Sequence, residues 1–135
     1  MKCDVVRKSK LAALFGCALL FAACDSSAPV DNSPEAQVTR RSTEMLDALL
    51  AADFDKALSY ANSYYRMTTT PSQYRSRYGG VGSWTKAQVT SAVCEAERCR
   101  VRVLLTYRTL QNVETTRPLD EVWIALDGQW YLFEG

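Results

Sequence analysis

Residues 120–135 read "DEVWIALDGQWYLFEG". Asp127-Gly128 is a pair suited to a two-residue hairpin turn, because both of its central positions must accept positive φ. Apolar residues alternate on either side of it, so the stretch predicts two antiparallel strands joined at 127–128. Upstream, "CRVRVLLTYRTL" (99–110) sets Val101, Val103, Leu105 and Tyr107 against Arg100, Arg102 and Arg108, a third strand with one apolar face. Val89 and Val93 lead into it from a fourth strand that begins near Trp84.

Before Trp84 the period is helical. Ser33 is placed as an N-cap, with Pro34 at the first helical position and Glu35 in the first turn. Val38, Met45, Leu46, Leu49 and Leu50 then form one stripe to about Ala52. Asp53 caps a second helix, in which Phe54, Ala57, Leu58 and Ala61 repeat at helical spacing. Residues 66–83, "RMTTTPSQYRSRYGGVGS", are turn-rich, with one short helix after Pro71 and glycines at 79, 80 and 82 to end it. Helices followed by an antiparallel meander of about four strands make an α+β domain, with the helices packed on one sheet face.

This organisation resembles the NTF2-like superfamily, in which a curved antiparallel sheet wraps N-terminal helices into a cone. The resemblance rests on "AADFDKALSYA" (51–61), the strand onset at Trp84 and the terminal "ALDGQWYLFEG", and covers residues 34–135. It implies a fold. Enzymes of that superfamily often set an aspartate base against a tyrosine or acid inside the cone. Asp120, Glu121 and Tyr107 are of suitable type. Asp120 and Glu121, however, open a strand after Pro118, where exposed charge is expected.

The amino terminus carries an address. Lys2, Arg7, Lys8 and Lys10 precede an uncharged run from Leu11 to Ala23. As a helix that run reaches about 20 Å, short of the roughly 30 Å hydrocarbon core, so it reads as a signal-peptide segment. Phe21-Ala22-Ala23-Cys24 resembles the lipobox of bacterial lipoproteins, although Phe21 stands where leucine is usual. The resemblance implies a signal peptide over 1–23, cleavage before Cys24 and lipid on its sulfur. Cys17 is the competing acceptor, with bulky Phe15 where a small residue is expected. Asp25 resembles the enterobacterial signal for retention at the inner membrane. Residues 24–33 then form the lipidated cysteine and a linker; its nine residues "DSSAPVDNS" span about 15–18 Å. Two or more acyl chains hold a protein stably on a membrane. The expected location is the bacterial envelope, facing the periplasm.

In that compartment the remaining cysteines, Cys94 and Cys99, form an even pair. They flank "EAER" between strand-like segments, so a structural disulfide across a hairpin is expected. No second cysteine pair accompanies them for a metal, and no metal or cofactor is expected.

The chain has sixteen basic and fifteen acidic residues and no histidine. Four of the bases and one acid lie before Cys24, which leaves twelve against fourteen, a net charge of −2. That is no electrostatic footprint for nucleic acid. Without histidine, proton transfer needs a strongly shifted carboxyl.

The densest polar-aromatic stretch contains Tyr64, Tyr65, Arg66, Tyr74, Arg75, Arg77 and Tyr78. Tyrosine with arginine suits a protein interface or the mouth of an anion site. The competing reading has some tyrosines closing the core while the arginines stay in water. Trp84, Trp123 and Trp130 lie among apolar strand neighbours and are expected to pack in the core. Arg100, Arg102 and Arg108 are expected on a face offset by Glu95, Glu97, Glu114 and Glu121.

Two functions follow. The first is a lipid-anchored module without catalysis, holding an envelope protein or small ligand near the membrane. The alternative is a small-molecule enzyme, isomerase-like or hydratase-like, with a pocket inside the cone. A deep cavity with a buried carboxylate facing a tyrosine would favour the second; a filled core would remove it.

Overall fold

The computed structural model describes residues 29–134. The signal segment, Cys24 and Asp25 lie outside the described residues.

The expected helix begins where its cap predicts. Ser33 Oγ accepts the Ala36 N–H, and α1 spans Pro34–Leu50. Val38, Ser42, Met45, Leu46 and Leu49 form its buried stripe. Ala52, at φ 57°, turns the chain, and the Asp53 N–H bonds the Ala48 carbonyl at 2.8 Å. Asp53 then caps α2 (Phe54–Leu58), shorter than its apolar spacing suggests. A tertiary contact cuts it off: Ala61 forms a parallel bridge to Leu132, with Asn62 N–H to Leu132 O at 3.0 Å and Leu132 N–H to Tyr60 O at 2.8 Å.

Two further helices follow, one running into the stretch that the sequence marks as turn-rich and one after Pro71, as expected. Asn62 caps α3 (Ser63–Thr68), and α4 (Pro71–Arg77) opens on a capping box between Thr70 and Gln73. The first of these is absent from the sequence-based expectation. It is only 6 residues long with no buried side chain, so no apolar stripe announces it.

Four strands follow: β1 (Trp84–Glu95), β2 (Arg98–Arg108), β3 (Glu114–Leu126) and β4 (Gln129–Leu132). They pair in sequence order as an antiparallel meander. Asp127 and Gly128 both have positive φ, 51° and 76°, as their turn requires. Cys94 and Cys99 stand opposite each other one step in from the β1–β2 turn, with Cα atoms 4.0 Å apart, and are disulfide-bonded. Register shifts near Thr85 and Thr90 bend β1.

The inner sheet face carries Val101, Val103, Leu105 and Trp123, all fully buried, and all but Leu105 share one core with the α1 stripe. Trp130 is buried as expected, whereas Trp84 is only partly covered. On the outer face a single arginine, Arg102, is ion-paired, and its partner is Asp120 rather than a glutamate. Glu121 cannot serve that face, because it points inward.

Strand β3 also corrects the expected start after Pro118. It begins at Glu114 and runs through the proline. Ala125 N–H bonds Glu97 O and Val122 O accepts from Phe133, so even-numbered residues of β3 turn their backbone groups away from β2. Pro118 therefore has its nitrogen on the side where, among the described residues, no strand pairs, and no ladder bond is lost.

Candidate functional site

The sheet does not close completely on the helices. A half-open cavity of about 440 Å³ lies between them. Met45, Leu46 and Leu49 of α1 line one side; Arg77, Tyr78 and Gly80 after α4 line another; Trp84, Arg117, Leu119 and Glu121 come from the sheet, and Leu132 to Glu134 from the C-terminal segment. The volume falls within the roughly 300–1,000 Å³ of small-molecule pockets.

Two buried carboxyl groups face this space. Glu121 is 6% exposed and Glu134 8%. Alternation along β3 places Glu121 between Leu119 and Trp123 on the inner face, opposite Val101. Its Oε2 accepts from Ser42 Oγ at 2.7 Å and from Trp123 Nε1 at 2.8 Å. Its Oε1 is buried with no protein partner. Burial pushes the Glu121 carboxyl above its ordinary range; the two donors oppose the rise in part, and the Glu134 charge adds to it. Both donors occupy Oε2, so a proton on this carboxyl belongs on Oε1, where it is a free donor.

Glu134 is held differently. Its Oε1 accepts from the Tyr78 hydroxyl at 2.8 Å, and its Oε2 meets Arg77 Nη2 at 2.8 Å. Tyr78 belongs to a run of aromatic rings from α3 to β1: Tyr65 to Tyr74 at 6.2 Å, Tyr74 to Tyr78 at 4.8 Å, and Tyr78 to Trp84 at 6.2 Å. Burial pushes both Tyr74 and Tyr78 well above the ordinary phenol range, and their mutual proximity and Glu134 act on both. The Tyr74 hydroxyl approaches that of Tyr78 but meets no partner in hydrogen-bonding geometry.

The seven tyrosines and arginines of 64–78 therefore divide. Tyr78 and Arg77 reach the cavity, Tyr74 packs fully buried behind them, and Tyr65 lies against Tyr74. Tyr64 is exposed, Arg66 covers the Tyr131 ring at 5.5 Å, and Arg75 covers Phe54 at 4.9 Å. They do not form one patch. Of the three acid–base candidates, Glu121 is the one buried in the cavity wall. Asp120 faces out to Arg102, and Tyr107 lies under the Arg117 guanidinium at 5.7 Å. Glu134 was not singled out by sequence. Its signal was the alternation that continues past Leu132, two residues earlier on the same buried side.

No known protein family matches the sequence, and no curated protein does. The fold, however, is shared. A SEC-C motif containing protein from Psychrobacter arcticus superposes with a TM-score of 0.61 at 7% identity, over 73% of this chain and 59% of its own, so the chain spans about three-fifths of that protein. A SEC-C motif containing protein from Rhodopseudomonas palustris gives 0.56 at 19%, over 76% of each chain. A Campylobacter jejuni protein described as a "Putative NTF2-like transpeptidase" gives 0.51 at 12%, over 70% of this chain and 94% of its own. The architecture is thus the NTF2-like α+β cone that the sequence resembles.

The expectation of a module without catalysis is corrected by these findings. The same cone occurs in the protein described as a "Putative NTF2-like transpeptidase", so the fold gives no ground for excluding chemistry. The core is not filled, and its cavity carries a buried carboxyl with a free oxygen.

Proposed function

We propose that the protein is a small-molecule enzyme that transfers protons inside the cavity, isomerase-like or hydratase-like. One observation carries this reading: Glu121, buried in a cavity wall, has one oxygen fully bonded and the other unpartnered. A neutral acid so held donates to a substrate carbonyl or hydroxyl oxygen without first being stripped of water. Glu134, steadied by Tyr78 and Arg77, keeps lone pairs free to accept a proton from carbon or water. The proton taken by one carboxyl and that given by the other balance in an enolisation or a hydration.

Exchange in D2O tests this without knowledge of the natural substrate. Pooled carbonyl compounds bearing α-hydrogens are incubated with the protein, and deuterium uptake is followed by mass spectrometry. Uptake by some members is expected, falling 10²–10⁴-fold, as an order-of-magnitude expectation, in Glu121→Gln. Equal uptake with wild type, Glu121→Gln and Glu134→Gln would refute the assignment.

We further propose that this chemistry takes place at the periplasmic side of a bacterial membrane, with Cys24 as the lipid attachment point. Support comes from the basic start, the short uncharged run and Phe21-Ala22-Ala23-Cys24.

A further inference from the structure

We infer that the cavity takes an apolar molecule carrying one anionic oxygen head, a carboxylate or phosphate-type group, and that Arg117 seats that head. This rests on the reading of the cavity as a ligand site and adds the class of ligand.

The charges around the cavity carry the argument. Four acidic or basic side chains face it, Arg77, Arg117, Glu121 and Glu134, and Asp120 borders it from the outer sheet face. Arg77 is neutralised by Glu134 at 2.8 Å. Asp120 is neutralised from outside by Arg102, through bonds of 2.8 and 3.0 Å. Glu121 bonds only to a hydroxyl and an indole N–H, and its burial favours the neutral form. Arg117 remains. It lies on the inner face of β3 opposite Leu105, and no carboxylate comes within ion-pair distance of it among the described residues. Its guanidinium rests 5.7 Å from the Tyr107 ring, which fixes the side chain without consuming its charge.

One exposed positive charge is therefore without an ion-pair partner at a cavity also lined by Met45, Leu46 and Leu49. An oxyanion head matches the planar guanidinium, and an apolar body matches the α1 wall. A cationic ligand would meet carboxyl groups already paired with arginine, or Glu121, whose burial favours the neutral form. A neutral one would leave the exposed Arg117 guanidinium to water and gain nothing from its charge.

The test is calorimetric titration of the full chain with octanoate, octanol and octylamine, which share an apolar body and differ in the head. Octanoate should bind at least about tenfold more tightly than octanol, with octylamine weakest. Arg117→Ala should bring octanoate down to the affinity of octanol while leaving octanol unchanged, and Arg117→Glu should favour octylamine. Thermal melts confirm that the variants fold. Equal binding of octanol and octanoate by the wild type, or no loss in Arg117→Ala, overturns the anion inference and leaves the cavity reading standing. Binding of none of the three, with unchanged Trp84 fluorescence, overturns both. Octyl phosphate in place of octanoate then separates the two kinds of head.

Discussion

Glu121→Gln should change how stability depends on pH, and the sign follows from the site. The carboxyl is buried with two donors on one oxygen and none on the other, and its protonation range in the folded chain lies above the ordinary value of 4.5. The folded chain then holds this proton over a window in which the unfolded chain has released it. Stability linked to Glu121 is fully present below pH 4.5 and is lost as pH rises through the folded value. Within the window the loss is about 1.4 kcal/mol per pH unit, or roughly 6–11 °C in Tm for a domain of this size. Glutamine is nearly isosteric: its amide oxygen accepts from Ser42 and Trp123 as Oε2 does, and it cannot ionise. The variant should match the wild type in acid and become the more stable protein toward neutrality. Asp31 and Asp120 shift downward, through hydrogen bonds to Ser33 and Arg102 respectively, so their linkage acts at lower pH with the opposite sign. They cancel when the two proteins are compared. Melts by circular dichroism from roughly pH 4 to pH 8 measure the difference. A constant gap between wild type and variant over that range would mean that Glu121 ionises normally, and the acid assigned to the cavity would be lost with it.

Neighbouring phenols should respond in opposite directions. Tyr74→Phe removes a buried hydroxyl without a partner and should leave stability unchanged or raise it, whereas Tyr78→Phe breaks the bond to Glu134 and should cost about 1–3 kcal/mol in urea unfolding. The Cys94–Cys99 bridge closes a short loop, with a sequence separation of 5, so replacing both cysteines by serine should cost about 2 kcal/mol by the same measurement, and a reductant should reproduce it. Cys24→Ser, expressed at native level, should move the protein from the membrane to the soluble fraction and abolish incorporation of labelled palmitate; retention of either would remove Cys24 as the attachment point.

Local order was legible because local rules govern it. Ser33-Pro34, Asp53 and Asp127-Gly128 act within a few residues of themselves, and each begins or turns an element where its chemistry predicts. The alternation of 99–110 fixed which face of β2 is buried. The Cys94–Cys99 pairing needed only a hairpin between them.

Failures of prediction have equally specific causes. Helix α2 stops early because Ala61 is claimed by Leu132, a partner 71 residues away. The α3 helix shows no stripe because it buries no side chain. Glu121 reads as an exposed charge after a proline until the strand is seen to run through Pro118, after which the alternation of Leu119, Glu121 and Trp123 turns it inward.

From sequence alone came the α+β class, the order of most elements, the disulfide and an expected membrane address, all carried by patterns short enough to act without the rest of the chain. The cavity belongs to tertiary structure alone. Ser42 on α1, Glu121 and Trp123 on β3, Tyr78 after α4 and Glu134 beyond β4 are brought together only when the sheet bends over the helices. Whether a carboxyl is an ordinary surface charge or a proton donor depends on the water around it, and that is settled by packing, not by its neighbours in the chain.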